Sequence, residues 1–445
     1  MEINEIKNLI LNEVKSEGIK EFEIYINLSR SLSIESKGGK IDSFEASDIA
    51  GASLRVFSDG RQGFSYCTDF SNDAVKRMVA DAAMGSTHVT PDEFRVLPEA
   101  AGSIPSVSVY DARMKDVPEE EKIERAKALE DAVLSFDRRI KRVRKAAYSE
   151  TEYSVAIFNS RGVDIDHKGT FCSASVSALA EDGAESEMGS DFESVRFYDG
   201  LDVKLIGKRA GENAIQLLGG KKIKTVKCPV ILENSVAVDF LGVLASSFIA
   251  DSVQKGKSLF AGKIGASVGS EIMTIVDDGL YPGGIGTAPV DGEGVPRQRT
   301  PLIQAGVLKG YLYDTYTAKK DKIKSTGNAV RPGIKAPPSC GLSNLYIEKG
   351  NLGMDALLSE AGTGLLVTEV MGMHTANPVS GEFSVGASGI WIENGKKAYP
   401  VKGVAIAGNI IDILKSVTAL GGDLRFFGKI GAPSLLISEL MVSGE

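Results

Sequence analysis

The chain has 445 residues, of which 43% are apolar and 25% are charged, and its formal net charge is −8. These values are typical of a folded protein with two or more domains, and the acidic balance argues against general affinity for nucleic acid, which requires a basic face. Four widely spaced cysteines, an N-terminus without a continuous apolar run, and the lack of any apolar stretch of roughly 18 residues predict a cytoplasmic protein with no signal peptide and no membrane span.

The first predicted domain, 1–110, has the pattern of a helix, several antiparallel strands and a second helix. Apolar residues recur at helical spacing within 3–16, which predicts the first helix. From Phe22 onward apolar and polar residues alternate, and Asp59-Gly60 marks a hairpin turn. A second helix is expected from about Ser71, which can cap it, to about Met84.

A segment rich in Pro, Ser and Thr leads into the second predicted domain, 111–225, where the same pattern returns. Pro118 and three glutamates begin a helix that should run to about Phe136, because acidic residues favour the positive end of a helix. Strands follow over about 140–181, and a helix over about 200–218. The order helix–strands–helix therefore occurs twice, which indicates a structural duplication.

A basic run crosses the start of the second strand series. Arg138–Lys145 holds six positive charges in eight residues. If it forms a regular strand, Ile140 shares one face with Arg142, and Val143 shares the other with Lys145. Such a run could contact nucleic acid or an acidic peptide, although a solvated or interface strand fits the acidic net charge better.

The third predicted domain, 226–445, has a strand at Val230 and then an apolar helix over 236–249. Beyond that helix, glycine-rich turns and alternating patterns dominate, and Asn394-Gly395 predicts another hairpin. We expect this part to be mostly β, as a curved sheet or barrel. The chain as a whole is predicted to be an α+β protein with antiparallel sheets in its N-terminal part.

Several residues could carry chemistry, and each has a structural alternative. Asp277-Asp278 and the pair Asp291 and Glu293 could act in acid–base catalysis or bind a hard cation, yet they lie in glycine-rich turns where Asp is common for backbone reasons. Three isolated histidines are expected to be hydrogen-bonded or surface residues. These are His88, His167 and His374. No glycine-rich stretch matches a nucleotide-binding motif.

Several motifs give the chain a resemblance to a known family. The motifs are Asp291–Asp314, Ser325-Thr-Gly-Asn328, Asn377–Phe383 and Trp391–Gly395. The chain resembles the PmbA/TldD family, a group of intracellular metallopeptidases also described as modulators of DNA gyrase. This resemblance implies short or unfolded peptides as substrates.

Active members of that family carry a His-Glu-x-x-x-His helix and a cysteine in a glycine-rich loop. Counted along the resembling segment, the helix positions are occupied here by Gly242, Val243 and Ser247, and the matching loop, Phe427–Pro433, has no cysteine. Zinc requires three nitrogen, sulfur or oxygen ligands from the protein, which these residues cannot supply. The resemblance therefore implies the PmbA (TldE) type of subunit, without a cofactor of its own and with zinc expected only in a partner.

Three hypotheses follow from the resemblance. The chain could be the non-catalytic subunit of a metallopeptidase, paired with a TldD-like subunit or with itself, and contacting neither nucleic acid nor membrane. It could be a metal-independent peptidase that uses Asp291 and Glu293, with Arg299 holding a peptide carboxylate. Those three residues could instead lock their loop through internal ion pairs. Finally, it could be a regulatory or binding protein that acts on DNA gyrase or another protein.

Overall fold

The computed structural model describes residues 1–445, and the N-terminal part forms one antiparallel sheet covered by four helices. The strand order across this six-stranded sheet is β3-β2-β1-β4-β5-β6. Its elements are α1 (Ile3–Ser16), β1 (Glu21–Lys37), β2 (Lys40–Ser58), β3 (Arg61–Cys67), α2 (Asn72–His88), α3 (Glu119–Leu134), β4 (Ile140–Asn159), β5 (Asp164–Asp182), β6 (Glu185–Val195) and α4 (Val203–Ile215).

The predicted duplication is confirmed, because a helix, three strands and a helix occur twice in this order. The two copies meet where β1 pairs with β4, from Glu23 opposite Asn159 to Ser36 opposite Ala146. Each copy has its own hydrophobic core beneath its pair of helices. Segments 1–110 and 111–225 thus contribute three strands each to one sheet, while the division of the chain at those residues stays a prediction.

Both copies bring a helix against the third strand at a glycine. A Cβ added to Gly63 in β3 would lie 1.8 Å from the carbonyl oxygen of Ala82 in α2. A Cβ added to Gly189 in β6 would lie 2.1 Å from the amide nitrogen of Ala214 in α4. Only glycine permits so close an approach between strand and helix backbones, so the two copies share this packing device.

Replacing either glycine with alanine should therefore separate a helix from the sheet. We expect Gly63→Ala and Gly189→Ala each to lower the free energy of unfolding by about 1–3 kcal/mol, as overpacking does in well-packed interiors. Gly85→Ala is the matched control, because its Cβ would lie 3.6 Å from Gly63 Cα, an ordinary contact. Urea unfolding measures all three variants, and an unchanged Gly63→Ala would contradict the close packing.

The basic run does not alternate as a regular strand would. Two β-bulges, between Ile140 and Arg142 and between Val143 and Lys145, turn both Ile140 and Val143 into the core and leave the cations outside. The predicted division into two faces was therefore wrong, because each bulge adds a residue and shifts the period. Arg142 pairs with Glu181 at 3.1 Å, and Lys145 pairs with Glu35 at 2.5 Å, so these charges are partly neutralised within the sheet.

The C-terminal part is mostly β, as predicted, and contains a closed ring of strands. The sheet β16-β15-β14-β7-β20-β17 is closed by an additional pairing of β16 with β20. A second sheet has the order β10-β9-β8-β13-β19-β18, and β11 pairs with β12. The elements are β7 (Val226–Leu232), α5 (Asn234–Ala245), α6 (Ala250–Gln254), β8 (Ile275–Asp278), β9 (Arg299–Gln304), β10 (Val307–Leu308), α7 (Thr315–Asp321), β11 (Ala329–Val330), β12 (Ser339–Cys340), β13 (Leu345–Ile347), α8 (Met354–Ala361), β14 (Gly364–Met371), β15 (Glu382–Glu393), β16 (Lys396–Asn409), α9 (Ile410–Lys415), β17 (Val417–Leu420), β18 (Arg425–Phe427), β19 (Ile430–Ala432) and β20 (Leu435–Ser443).

The apolar helix of this part, α5, packs in one hydrophobic core with residues of both large sheets. It ends at Ala245, earlier than the predicted 249, and a 3-10 turn follows. The reason is a backbone bridge, because Leu312 N donates to Phe248 O and Ala250 N donates to Leu312 O, which draws the chain out of helical geometry. None of the helices combines the length and apolar character required to cross a membrane.

Candidate functional site

The predicted metal positions lie on α5 and in the turn that follows it. Gly242 and Val243 are half-buried on the helix, and a Cβ at Gly242 would lie 3.8 Å from Ile430 Cδ1 in β19. Helix and glycine-rich loop thus meet at Gly242 and Ile430. Ser247 is fully buried, and its hydroxyl donates to Pro378 O at 3.3 Å.

These residues do not fit a catalytic zinc ion. The side chains of glycine, valine and isoleucine have no atom that can bind a metal, and the buried Ser247 hydroxyl is hydrogen-bonded to Pro378 O. No group of three or more His, Cys, Asp or Glu side chains in the molecule is arranged to hold a metal ion. The three histidines lie apart, on α2, on β5 and in the 3-10 turn after β14.

A cavity of about 650 Å³ lies beside α5, between the N-terminal sheet and the C-terminal part. Its lining is largely polar and includes Asp191, Arg209, Glu233, Asp239, Glu369 and Arg425. Arg425 Nη2 donates to Asp191 Oδ1 at 2.7 Å, which joins the two parts across the cavity. Burial raises the pKa of Glu233, Asp239 and Glu369, since the charged carboxylate is less well solvated there.

Asp291 is buried and organises its own loop rather than facing a cleft. Its carboxylate accepts hydrogen bonds from the backbone amides of Glu293 at 2.9 Å, Val295 at 3.0 Å and Ala329 at 2.9 Å. Burial, and then the charge of Glu293, raise the pKa of Asp291. These contacts are those of an Asp-stabilised turn.

Glu293 belongs to a buried charge cluster that joins the first and third predicted domains. It accepts from Arg55 Nη2 at 3.0 Å and from Thr315 N at 3.1 Å. Arg55 also donates to both oxygens of Glu23, at 2.9 and 2.5 Å, and Arg331 donates to the same carboxylate. Burial disfavours the charged form of Glu23, but Arg331 and Arg55 outweigh that cost and lower its pKa. The sequence left two roles open for Asp291 and Glu293, namely catalysis or locking their loop through internal ion pairs. The observed contacts match the second role.

Arg299 is not brought together with those two carboxylates. It begins β9, is substantially exposed, and its Nη2 lies 2.5 Å from Glu348 Oε1. Asp277 is also engaged in its own surroundings, since it accepts from Asn328 Nδ2 at 2.8 Å and from Ser343 N at 2.8 Å. Burial raises its pKa.

Sequence reasoning missed two buried arginines between the N-terminal sheet and the C-terminal part. Arg196, directly after β6, donates to the carbonyl oxygens of Gly284, Ile285 and Thr287. Arg297 lies in the same motif as Arg299, but it is buried and its Nε and Nη1 have no acceptor. In the sequence, Arg297 differs from the exposed Arg299 only in its position: it follows Val295-Pro296, whereas Arg299 begins β9.

Three family models match successive segments of the chain. The PmbA/TldA metallopeptidase domain 1 matches residues 22–85, the central domain matches 113–218, and the C-terminal domain matches 225–444. The chain is also 28% identical to the metalloprotease PmbA of Escherichia coli O157:H7 over 439 residues, which are 97% of this chain and 93% of that protein. These matches include all of the elements that form the cavity.

Solved structures have the same fold over the whole chain. A Thermotoga maritima protein named as a candidate modulator of a DNA gyrase has a TM-score of 0.91 and 30% identity, covering 99% of this chain and 100% of its own. TldE from Thermococcus kodakarensis has a TM-score of 0.90 at 24% identity, with the same coverage, so it supports the fold alone. With family models matching most of its length, the chain belongs to the PmbA/TldD metallopeptidase family.

Proposed function

We propose that this chain is the metal-free subunit of a TldD/TldE-like metallopeptidase that degrades or processes short or unfolded peptides. The observation that carries the proposal is the identity of the residues at the positions where the family resemblance predicts the metal ligands. These are Gly242, Val243 and Ser247 on α5 and its turn, with Ile430 opposite. A metallopeptidase needs a metal to activate its water, so a chain without ligands must obtain the reactive centre from a partner. That partner is a TldD-like subunit.

The cavity beside α5 supports a role in binding substrate. It has a volume of about 650 Å³, and four of its lining residues lie on the same helix as Gly242, namely Asn234, Ser235, Val238 and Asp239. Its polar lining suits the amide and charged groups of a peptide better than an apolar ligand. The four free cysteines agree with the cytoplasmic location that is part of this proposal.

The two alternative functions have less support. A metal-independent peptidase would need Asp291 or Glu293 to reach a substrate, but both are 3% exposed or less and are held by backbone amides and Arg55. A regulator of DNA gyrase has support only from the names of solved relatives, such as those from Thermotoga maritima and Bacteroides thetaiotaomicron. The net charge of −8 does not favour direct contact with DNA.

Metal analysis and a peptidase assay test the proposal together. The purified chain should contain no stoichiometric zinc and should not cleave unstructured peptides. A TldD-like subunit from the same genome should bind it in size-exclusion chromatography, and peptide cleavage by the mixture should exceed that of either protein alone. A chelator should abolish that cleavage, because the metal belongs to the partner.

One tightly bound zinc per chain, held by side chains of this protein, would contradict the proposal. So would cleavage by the chain alone that survives the chelator and is lost in Glu293→Gln, which would instead support the metal-independent enzyme. Failure to bind any TldD-like subunit, with no gain in cleavage on mixing, would remove the heteromeric form.

A further inference from the structure

A dense group of lysines lies on the surface of the C-terminal part. Two short segments contribute six lysines, and we refer to the group as the lysine face: Lys255, Lys257, Lys319, Lys320, Lys322 and Lys324. Five of these residues are exposed and Lys320 is half-buried. The net charge of the whole chain is −8, so the lysine face is a local reversal of sign.

Hydrogen bonds and packing hold the two segments of the lysine face together. Helix α6 ends at Gln254, directly before the first lysine, and it packs against α7. The side chain of Gln254 donates from Nε2 to Thr317 O in α7 at 2.9 Å. Beyond α7, Ile323 N donates to Ala318 O at 3.0 Å, which folds the chain back onto the end of the helix. The six lysines therefore belong to one region of the surface.

Most of this positive charge has no partner within the chain. Lys255 pairs with Asp251 at 2.7 Å, and it is the only lysine of the face that forms an ion pair. Asp321, the one acidic residue inside the second segment, accepts a hydrogen bond from the Tyr313 hydroxyl at 3.0 Å. Five of the six lysines are thus left to attract an anion from solution.

Stabilisation of a helix end explains only part of the lysine face. Lys319 and Lys320 lie in the last turn of α7, where a cation interacts favourably with the negative end of the helix. That reason does not apply to Lys257, which lies beyond α6, or to Lys324, which lies beyond α7. The accumulation of lysines therefore exceeds what the local structure requires.

The lysine face borders the turn that follows α5. Ser258, the neighbour of Lys257, donates its hydroxyl to Ser247 O at 2.7 Å. Leu259 N lies 3.4 Å from the Ser247 hydroxyl oxygen. Ser247 is the last of the predicted metal positions, so an anion attracted by the lysine face is concentrated beside this turn.

We propose that the lysine face attracts acidic segments of unfolded polypeptides. A folded partner fits the face less well, because lysine is depleted in stable protein interfaces, whereas exposed cations speed the arrival of oppositely charged ligands. Nucleic acid also fits less well, because a chain with a net charge of −8 repels phosphates beyond the face. The inference rests on the proposed role in peptide breakdown and adds to it a preference for acidic substrates.

Binding of short labelled peptides to the full chain tests this proposal. The probes are fluorescein-labelled glycine–serine peptides of equal length, one with several glutamates and the other with the same number of glutamines. Fluorescence anisotropy at low ionic strength should show that the glutamate peptide binds at least about tenfold more tightly, the lower limit of the gain that a surface field of one sign provides. In about 1 M salt, where charges are screened beyond about 3 Å, the two affinities should become equal.

Charge reversal at three exposed positions of the lysine face should remove most of this preference. The variant combines Lys257→Glu, Lys319→Glu and Lys324→Glu. A matched control reverses three exposed lysines of the N-terminal part and changes the net charge equally: Lys15→Glu, Lys20→Glu and Lys40→Glu. The control should keep the preference, and circular dichroism checks that both variants are folded. The salt dependence of wild-type binding decides independently of either variant.

Three results would overturn the proposal. They are equal affinity of the two peptides at low ionic strength, a preference that survives either high salt or charge reversal of the face, and an equal loss in the matched control. A labelled DNA duplex that binds more tightly than the glutamate peptide, and that charge reversal releases, would show a nucleic-acid surface instead. None of these results depends on metal content or on activity of a mixture, which test the proposed function separately.

Discussion

Replacing Glu23 with glutamine is expected to lower the free energy of unfolding by about 3–5 kcal/mol, as happens when one partner of a buried ion pair is removed. Glu23 is 1% exposed and accepts hydrogen bonds from Arg55 and Arg331. A glutamine amide would leave both guanidinium groups buried with less compensating charge. Urea unfolding followed by circular dichroism measures the loss.

An exposed pair provides the matched control. Asp48 accepts from Arg30 Nε at 2.9 Å, but both side chains are mostly in solvent. Asp48→Asn should therefore leave the unfolding curve without a resolvable change, because solvent and salt screen such pairs. A loss in Glu23→Gln no larger than that in Asp48→Asn would contradict the central role of the buried cluster.

The same residue predicts the direction of a pH dependence. The pKa of Glu23 is lowered in the folded chain from its ordinary value of 4.5. Its contribution to stability is therefore fully present above that ordinary value and is lost as the pH falls through the lower, folded value. As the pH is lowered from just above 4.5 into strongly acid conditions, the free energy of unfolding of the wild type should fall more steeply than that of Glu23→Gln. Parallel curves of unfolding free energy against pH would contradict this assignment.

Arg196→Ala is expected to destabilise the chain by at least about 3 kcal/mol, because several buried carbonyl groups lose a charged donor at once. Arg196 is 2% exposed and donates to Gly284 O at 3.0 Å, to Thr287 O at 2.9 Å and to the Tyr153 hydroxyl at 2.9 Å. The substitution also leaves a cavity between β6 and the 283–287 loop. That loop should become sensitive to limited proteolysis.

Arg142→Ala is the control for this substitution. Arg142 lies on the exposed side of β4, where its side chain is 72% exposed and pairs with Glu181 at 3.1 Å. Its removal should change stability by less than about 1 kcal/mol. If Arg196→Ala unfolds at the same urea concentration as Arg142→Ala and its 283–287 loop stays resistant to protease, Arg196 does not hold the two parts together.

Local features of the fold could be predicted from the sequence because they depend on neighbouring residues. Asp59-Gly60 and Asn394-Gly395 both adopt positive φ angles and close hairpins, as their composition predicts. The bulges at the start of β4 could not be predicted, because they depend on the partner strand β5. The end of α5 was missed for the same reason, since Leu312, which terminates it, lies far along the chain.

The candidate site shows the same limit. The turn chemistry of Asp291 could be read from the glycines around it, but the partner of Glu293 is Arg55, 238 residues away. The choice between Arg297 and Arg299 also depends on long-range packing, because both lie in one motif and only one is buried. The interpretation that Gly242, Val243 and Ser247 replace metal ligands rests only on the family resemblance and on the identity of the side chains, and it stays a prediction.

The seam between β1 and β4 has a consequence for synthesis of the chain. When the first 110 residues leave the ribosome, β1, β2 and β3 can already pair with each other, but β4 does not yet exist. The backbone of β1 from Glu23 to Ser36 then offers free donors and acceptors along its whole outer side. Such an edge is a template for pairing with another nascent chain until the second copy, with β4, has been synthesised. A fragment that ends at residue 110 lacks β4 and should therefore self-associate.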